Sequence, residues 1–271
     1  MRETRYRYPF PVLPAVLLDR PNRFLVRVRL AEGRIEPAHL PNPGRLRELV
    51  RPGAHGHVVR VPAPLTRHRK TTLTLINVER PGRPPGWVSV DTQLARPVVD
   101  RALAEGRIAP LARWGRWKSE VRWGRCRFDH GVAGGSGNPV PQALLEVKSS
   151  NLREGRTALF PDAPTARGAH HAEVLGRFVR RGGKAAVLFL VQRSDTSEFR
   201  PYGAMDPRFA RFLDRARSSG VLLLAWDLHV LPDGVEWGKR LPVLRTQWTP
   251  GRDLTDGLKD PTPTTGAPRA P

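Results

Sequence analysis

Apolar and polar side chains alternate in short segments over the first ninety residues. In residues 24–30 one face of a predicted strand is apolar and the other basic, the first carrying Phe24, Val26, Val28 and Leu30 and the second Arg27 and Arg29. Further short strands are predicted at residues 57–61, 71–79 and 87–90. Several short strands at such close spacing indicate a small β-barrel or β-sandwich.

After residue 148 the pattern changes to amphipathic stretches that alternate with apolar runs. Residues 168–181 predict a helix whose inward face carries His171, Val174, Leu175 and Phe178. Residues 185–191 are an uninterrupted apolar run, typical of a central strand covered on both faces. Asp206 and Pro207 predict the N-cap and first residue of a second helix, and residues 221–228 predict another buried strand. This order predicts a largely parallel sheet sandwiched by helices.

A helix and a tryptophan-rich stretch lie between these two regions. Asp91 or Thr92 is expected to cap a helix that reaches Gly106 and is interrupted near Pro97. Three tryptophans follow among basic side chains, namely Trp114, Trp117 and Trp123. Aromatic rings among bases can stack on nucleobases. Because tryptophan buries a large area, we favour the alternative that these rings are core residues at the seam of two domains.

Candidate catalytic side chains lie on two predicted strands, at residues 127–129 and 144–148, joined by the Gly- and Pro-rich residues 131–141. Alternation along an extended strand puts Glu146 and Lys148 on one face. A hairpin over the intervening loop brings Asp129 beside Glu146. This is the constellation that a hard divalent cation needs for phosphodiester chemistry: two carboxylates hold the cation, and an ammonium group orients a water molecule.

The motif Glu-x-Lys is short, and on a half-exposed strand it is usually a solvated surface. Leu144, Leu145 and Val147 indicate, however, that this strand is buried, where unpaired charges are costly. We therefore interpret the carboxylates as functional and predict Mg²⁺ or Mn²⁺ as the cofactor.

Charge is the dominant feature of the composition. The 271 residues include 46 lysines and arginines against 25 aspartates and glutamates, a formal net charge of +21. A protein this basic is expected to bind polyanions, of which nucleic acid is the commonest. No long helix pairs a basic face with an exposed apolar one and no apolar run is long enough for a membrane span, so we expect no membrane partner.

Cysteine usage and the first residues bear on the compartment. The single cysteine, Cys126, cannot form an intrachain disulfide, and no Cys/His spacing indicates zinc. The first residues lack the apolar core of a signal peptide. We therefore expect a cytoplasmic protein.

Candidate nucleic-acid contacts lie on a strand face and in two loops. In residues 39–47 two prolines and a glycine predict a turn followed by a short helix, whose backbone N–H groups and arginines can hold a phosphate. An ordinary turn capped by Asn42 is an equal alternative. Residues 67–70 are a basic cluster, for which a solvated loop is the simpler explanation. The candidates are Arg27, Arg29, Asn42, Arg45, Arg47 and Lys70.

A series of motifs in this chain resembles the sugar fermentation stimulation protein A family. In chain order the motifs are His39-Leu-Pro-Asn-Pro-Gly-Arg45, Asp91-Thr92, Glu120-Val121, Arg127-Phe-Asp129, Glu146-Val-Lys-Ser149, Ala158-Leu-Phe-Pro-Asp-Ala163, Arg167-Gly168, Gln192-Arg-Ser-Asp195 and Asp206-Pro207. The match covers residues 9–244.

The resemblance implies an α/β fold with an added small β-barrel. An N-terminal OB-like barrel would precede a restriction-endonuclease-like domain of the PD-(D/E)xK nuclease type, an α/β sandwich with a mixed, partly parallel sheet. We place the barrel at residues 1–90 and the second domain at residues 91–245. Residues 246–271 are predicted to be a disordered tail because Thr, Pro, Gly and Asp dominate them.

The resemblance also implies roles for the candidate catalytic side chains. By position in the family's motifs, Asp129 and Glu146 would be metal ligands and Glu120 a further ligand. Lys148 would orient the attacking water.

Auxiliary roles are expected for Asp162, Arg167 and His171. For Asp162 the alternative is a turn residue before a helix, and for His171 it is a core histidine. The chain departs from the family at His130, which puts an imidazole next to the metal site and is a candidate influence on metal preference.

Three functions are left open by the sequence. The first is a metal-dependent DNA endonuclease that acts on duplex or single-stranded DNA. The second is a non-catalytic DNA-binding transcriptional regulator of sugar metabolism with the same fold, and the third is an RNA-binding protein that uses the barrel. Cleavage of both strands of a duplex would favour a two-fold homodimer.

Overall fold

Sixteen strands and three α-helices are defined in the computed structural model, which describes residues 5–62, 71–82, 84–135 and 140–248. The strands are β1 (Arg5–Arg7), β2 (Val12–Asn22), β3 (Leu25–Leu30), β4 (Ile35–His39), β5 (His55–Arg60), β6 (Leu73–Glu79), β7 (Trp87–Ser89), β8 (Trp117–Trp123), β9 (Cys126–Val132), β10 (Ala143–Ser150), β11 (Leu152–Glu154), β12 (Thr157–Phe160), β13 (Lys184–Val191), β14 (Glu198–Pro201), β15 (Leu222–Leu231) and β16 (Gly234–Leu241). The helices are α1 (Ala95–Ala104), α2 (Ala166–Arg180) and α3 (Pro207–Ser218).

Strands β2 to β6 form a closed five-stranded OB barrel. Their order is β4-β3-β2-β5-β6, parallel pairing of β4 with β6 closes the barrel, and β7 extends β6 outside it. In β3, Val26, Val28 and Leu30 are buried and the arginines between them are exposed, as the alternation predicts. Phe24 was expected inside but is 50% exposed, because it lies in the β2–β3 turn.

A seven-stranded mixed sheet organises the second unit, in the order β1-β16-β15-β13-β10-β9-β8. Only β10, β13 and β15 are parallel to one another, and β13, the predicted central strand, lies in the middle. Helices α2 and α3 cover one face and α1 the other, with a separate apolar core on each side. The predicted combination of an N-terminal barrel and a mixed α/β sandwich is confirmed.

Strand β1 lies outside the barrel although it precedes it in the chain. It pairs with β16, with Arg5 opposite Glu236. The domain boundaries at residues 90 and 245 stay predictions, but this first strand belongs to the sheet of the second unit. A small sheet of β11, β12 and β14 completes the architecture. From residue 249 onward the predicted tail lies outside the described residues.

Helix α1 is continuous, so the predicted interruption near Pro97 is wrong. Pro97 is the third residue of the helix, where a backbone N–H has no intrahelical partner and a proline removes nothing. Asp91 caps the 3₁₀ turn that leads into α1, since its Oδ1 accepts a hydrogen bond from Gln93 N at 2.9 Å.

The two predicted later helices are confirmed. Thr165 caps α2, whose predicted inward face is buried. Asp206 caps α3, with Phe209 N donating to its Oδ1 at 2.9 Å. No helix within the described ranges is long and apolar enough to cross a membrane.

The three tryptophans pack on core residues, as we favoured. Trp114 and Trp117 stack with ring centroids 6.0 Å apart against the core under α1. Trp123 lies edge-on to Phe178 of α2 at 5.0 Å. They therefore belong to the two cores of the α/β sandwich and not to a seam between the two units.

Candidate active site

Strands β9 and β10 place the candidate catalytic side chains next to each other. The two strands pair antiparallel, with Leu145 opposite His130, so the continuing register sets Asp129 beside Glu146. The backbone N–H of Val147 donates to Asp129 Oδ2 at 2.7 Å. Leu145 packs in the core under α1, while Glu146 projects to the opposite face. The predicted hairpin thus brings the two carboxylates together, although part of its connecting loop lies outside the described residues.

The two oxygens of Glu146 have different surroundings. Lys148 Nζ donates to Oε1 at 2.5 Å, and Nδ1 of His171 on α2 lies 2.6 Å from the same oxygen. Oε2 is buried and accepts no hydrogen bond from any described residue. A buried carboxylate oxygen without a partner is costly. Glu146 therefore has one oxygen fixed by the protein and one available to a ligand.

The pKa values of the two carboxyl groups are displaced in opposite directions. Burial opposes the ionisation of Glu146, but Lys148 and His171 outweigh it and lower its pKa. Desolvation in the cleft and the negative charge of Glu146 raise the pKa of Asp129. The hydrogen bond from the Val147 N–H lowers this pKa, but it offsets the rise only in part. A cation shared by both groups would remove this repulsion.

These donors fit a hard divalent cation. The available atoms are oxygens of Asp129 and Glu146, and Val147 lines the same cleft. Over the described residues, no three His, Cys, Asp or Glu side chains converge as a metal-binding group. Mg²⁺ is commonly held by one or two carboxylates, with water and substrate phosphate completing its shell. The residues present therefore fit a cation that is completed by its substrate.

A cleft of about 860 Å³ contains this site, and both units line it. Asp129, Glu146 and Lys148 belong to the α/β sandwich, whereas Arg23 comes from the barrel. Arg167, in the first turn of α2, is on the same rim. Arg23 and Arg167 are exposed, and neither is paired with a carboxylate within the described part of the chain. The cleft thus combines an acidic floor with a basic rim.

Glu120, predicted as a further metal ligand, faces basic side chains. Its carboxylate lies 3.1 Å from Arg96 Nη1 and 3.7 Å from Arg127 Nη1. Its backbone has a φ of +57° within β8. The structure does not place Glu120 among the residues that line the cleft, and its role as a ligand stays a prediction.

The loop after β4 forms a turn, so the predicted short helix is absent there. Asn42 Oδ1 accepts a hydrogen bond from Gly44 N at 2.9 Å, which is the alternative of a turn capped by Asn42. The backbone N–H groups of Arg45 and Leu46 stabilise the charge of Asp162, partly offsetting the burial that raises its pKa. A Cβ at Gly44 would collide with the same carboxylate. Asp162 therefore takes the position that we predicted for a phosphate.

A buried chain of amide side chains joins the barrel to the sandwich. Asn42 Nδ2 donates to Asn151 Oδ1 at 3.0 Å, and Asn151 Nδ2 donates both to Gln192 Oε1 at 3.0 Å and to the Ser89 carbonyl. Gln192 Nε2 in turn donates to the carbonyl of Asp91 at 2.9 Å. Asn42, predicted as a nucleic-acid contact, is thus buried in an internal network, which we call the amide network.

Asp195 forms a second link between the units. Arg193 binds it with two hydrogen bonds, of 2.6 and 2.9 Å, and Arg80 of the barrel and Arg153 lie 3.3 and 3.2 Å away. Burial opposes ionisation, but these three arginines lower the pKa of Asp195 to about 2. Sequence reasoning assigned no role to Gln192-Arg-Ser-Asp195, although four polar residues directly after an apolar strand were a signal of it.

The other predicted nucleic-acid contacts have varied surroundings. Arg27 forms an ion pair with Asp19 on β2, and neither Arg27 nor Arg29 lines the cleft. Arg45 and Arg47 are exposed in the loop after β4. Lys70, with the rest of the basic cluster at residues 67–70, lies outside the described residues. Their contacts with nucleic acid stay predictions.

The imidazole of His130 is hydrogen-bonded to Asp100 of α1. Its Nε2 lies 2.6 Å from Asp100 Oδ1, and the ring is buried. Of the two histidines considered for the site, only His171 contacts a candidate ligand directly. The expected influence of His130 on the metal would therefore be indirect.

Known protein families, sequences and structures match this chain over most of its length. The family described as SfsA N-terminal OB domain matches residues 18–90, and that described as sugar fermentation stimulation protein RE domain matches residues 93–234. A sugar fermentation stimulation protein homolog of Symbiobacterium thermophilum is 40% identical over 242 residues, which is 85% of this chain and 94% of that protein. The homolog of Chloroflexus aurantiacus is 38% identical over 233 residues, 86% of each chain. The solved structure of Pyrococcus furiosus SfsA in complex with Ca²⁺ has a TM-score of 0.76 and 31% identity, and the match covers 88% of this chain and 98% of that one.

Proposed function

The chain belongs to the sugar fermentation stimulation protein family, and from this membership we propose that it binds DNA and hydrolyses phosphodiester bonds with a divalent cation in the cleft between its two units. The single observation that carries the proposal is the unpartnered, buried Oε2 of Glu146 next to Asp129. The Ca²⁺ in the Pyrococcus furiosus relative supports a divalent-cation site.

Each side chain of the site has a distinct task in this mechanism. Asp129, Glu146 and the Val147 carbonyl would hold Mg²⁺ or Mn²⁺. When bound, the cation supplies an acidified water and neutralises charge on the scissile phosphate. Lys148 donates to the attacking water and to the negative charge that develops on the phosphate. His171 holds Glu146 Oε1, which leaves Oε2 as the oxygen for the cation.

DNA binding is proposed from charge and shape. The net charge of +21 favours a polyanionic partner, and the unpaired Arg23 and Arg167 on the rim are positioned to contact phosphates beside the scissile bond. Binding of B-DNA through such contacts weakens with salt, with a logarithmic slope of about −0.9 per phosphate neutralised.

A second candidate function is a non-catalytic DNA-binding regulator. The observation that favours it is the 2.5 Å contact between Lys148 Nζ and Glu146 Oε1, which occupies the lysine with an ion pair. In that function the cleft would hold DNA without cleaving it. RNA binding through the barrel is the third alternative.

The decisive experiment incubates purified protein with supercoiled plasmid, with Mn²⁺ or with EDTA. We expect Mn²⁺-dependent nicking by the parent protein and a loss of at least about 100-fold in Glu146→Gln, the scale on which loss of one charge-stabilising group acts in other enzymes. Glu173→Gln, which changes a partly exposed glutamate of α2 outside the cleft, is the matched control and should nick like the parent.

Three contrary outcomes are informative. Equal nicking by Glu146→Gln and the parent would reject this site. Salt-sensitive retention of DNA without any nicking by the parent would favour the regulator. Stronger retention of RNA than of duplex or single-stranded DNA at the same salt concentration would favour the third alternative.

A further inference from the structure

Helix α3 presents three arginines on its outer face. Arg208, Arg211 and Arg215 are spaced by three and four residues, so they lie on one side of the helix. All three are exposed. At 1.5 Å per residue they span about 10 Å along the helix axis. We call these residues the arginine stripe.

The arginine stripe is not neutralised by the protein. None of its members forms an ion pair with a described carboxylate, whereas exposed arginines elsewhere do, as in Arg27 with Asp19 and Arg34 with Glu36. The acidic residue within α3, Asp214, accepts a hydrogen bond from Thr246 Oγ1 at 2.7 Å.

A second acidic side chain near the stripe is also engaged elsewhere. Asp206, at the start of α3, is buried and accepts from the backbone N–H groups of Phe209 and Thr165. The charge of the stripe is therefore available to an external anion.

A groove of about 520 Å³ runs along the stripe. Pro164, Met205 and Phe212 form its apolar part. The guanidinium groups of Arg208 and Arg215 each lie 6.0 Å from the centroid of the Phe212 ring, which limits their freedom. Pro164 lines both this groove and the cleft that holds Glu146, so the two are neighbours on the surface.

We propose that the arginine stripe binds the phosphate backbone of a nucleic acid that leaves the cleft over Pro164. This inference rests on the proposed nucleic-acid function and extends its binding site by one helix. Unpaired guanidinium groups recognise phosphate oxygens strongly. An anionic membrane is the less suitable partner, because Phe209, Leu213 and Ala216, which form the apolar face of α3, are buried in the core and cannot insert.

The test measures binding to duplex DNA of about 30 base pairs, roughly 100 Å long, in EDTA over a series of salt concentrations. R208Q/R211Q/R215Q should reduce the logarithmic salt slope by about 2–3, since each lost phosphate contact removes about 0.9. R208K/R211K/R215K retains the charges and should keep most of the slope. The control R51Q/R122Q/R125Q removes three exposed arginines that line neither the cleft nor the groove, and it should change the slope by less than about 1.

The outcomes separate this inference from the proposed function. The stripe would be overturned as a binding surface if R208Q/R211Q/R215Q kept the salt slope of the parent, or if the control lost as much slope as this variant. DNA binding itself would still stand. A parent that binds DNA without nicking it, together with a reduced slope in R208Q/R211Q/R215Q, supports the stripe and rejects only the catalytic proposal. A parent that binds no nucleic acid overturns both. Loss of binding to phosphatidylserine vesicles with unchanged DNA binding would assign the stripe to a membrane and overturn the inference.

Discussion

Glu146 and Asp129 show how neighbouring side chains set the charge of two similar acids. Glu146 is the more buried of the two but has the lowered pKa, because Lys148 and His171 stabilise its anion. Asp129 has a raised pKa, because the cleft desolvates its carboxyl group and because it faces the negative charge of Glu146. Shifting the pKa values of two carboxyl groups in opposite directions is a common way for proteins to give them different roles.

Asp195 provides a prediction on pH dependence at the residue scale. Its pKa is lowered to about 2, so the folded state binds this proton less tightly than the unfolded state does. The stability that Asp195 contributes is therefore present above the ordinary carboxyl pKa of 3.8 and is lost as the pH falls towards 2. Asp195→Asn should lower the free energy of unfolding by about 2 kcal/mol at pH 7 and by much less near pH 2.

Denaturant titrations at several pH values measure this difference. Asp19→Asn is the control, because Asp19 also forms an ion pair with an arginine but is exposed to solvent. Its loss of stability should be much smaller. A uniform effect of Asp195→Asn at all pH values would show that its hydrogen bonds, and not its charge, stabilise the fold.

At the residue scale, the sequence predicts the position of a side chain well when the alternation of its own strand sets that position. It predicts the position poorly when a contact with a distant residue sets it. The positions of Asp129, Glu146 and Lys148 follow from the alternation of a hairpin, which is a local property. Asn42 and Glu120 were assigned to ligands, but their observed partners come from distant positions, Asn151 and Arg96. Nothing in the local pattern specifies such pairs.

At the scale of elements, Asp206 connects the beginnings of two helices. Its Oδ1 caps α3 through Phe209 N, and its Oδ2 accepts from Thr165 N at 2.7 Å, next to the start of α2. Because α2 carries His171, this aspartate helps to position a partner of Glu146. Asp and Pro in sequence predicted the cap of α3, whereas the bond to Thr165 spans 41 residues and had no local signal.

Asp206→Ala should therefore destabilise the protein by about 2–3 kcal/mol, because it removes a helix cap and leaves a second backbone N–H without its partner. Asp206→Asn keeps a capping oxygen and should cost clearly less. Thr165→Ala removes only the cap of α2 and should cost about 1 kcal/mol. Thermal unfolding followed by circular dichroism gives the order, and an equal cost for the two Asp206 variants would contradict it.

Local conformation also explains the one element that was predicted wrongly in kind. The sequence after Gly44 has arginines and leucines suited to a helix, yet Leu46 has a φ of +48°, which no right-handed helix allows. The neighbouring N–H groups point to Asp162, from a distant part of the chain. A tertiary contact here outweighs helix propensity.

At the scale of the whole molecule, the amide network is one of the contacts that join the two units. Asn42, Asn151 and Gln192 are buried and bonded in series between the barrel and the sandwich. The predicted order of a barrel and an α/β sandwich was correct, because periodicity and strand spacing define each unit separately. Their mutual contact includes the three isolated polar residues of this network and the ion pair of Arg80 with Asp195, which no periodicity reveals.

Gln192→Ala should lower the free energy of unfolding by about 2–3 kcal/mol, because Asn151 and the Asp91 carbonyl lose buried partners. We also expect calorimetry to resolve a separate transition of the barrel, since the contact between the units is weakened. Gln142→Ala changes an exposed glutamine and is the control, with a cost within about 0.5 kcal/mol. A single sharp transition at the parent temperature would refute the proposed coupling.

The contact of Asp162 with the barrel loop has a consequence for which anions the cleft accepts. The backbone amides of Arg45 and Leu46 already face an internal anion. A small solute such as orthophosphate would have to compete with a tethered carboxylate whose effective concentration is high. A long polymer can bypass that competition by adding several weak contacts along the rim. The cleft is therefore expected to discriminate between anions first by their length and only then by their chemical structure.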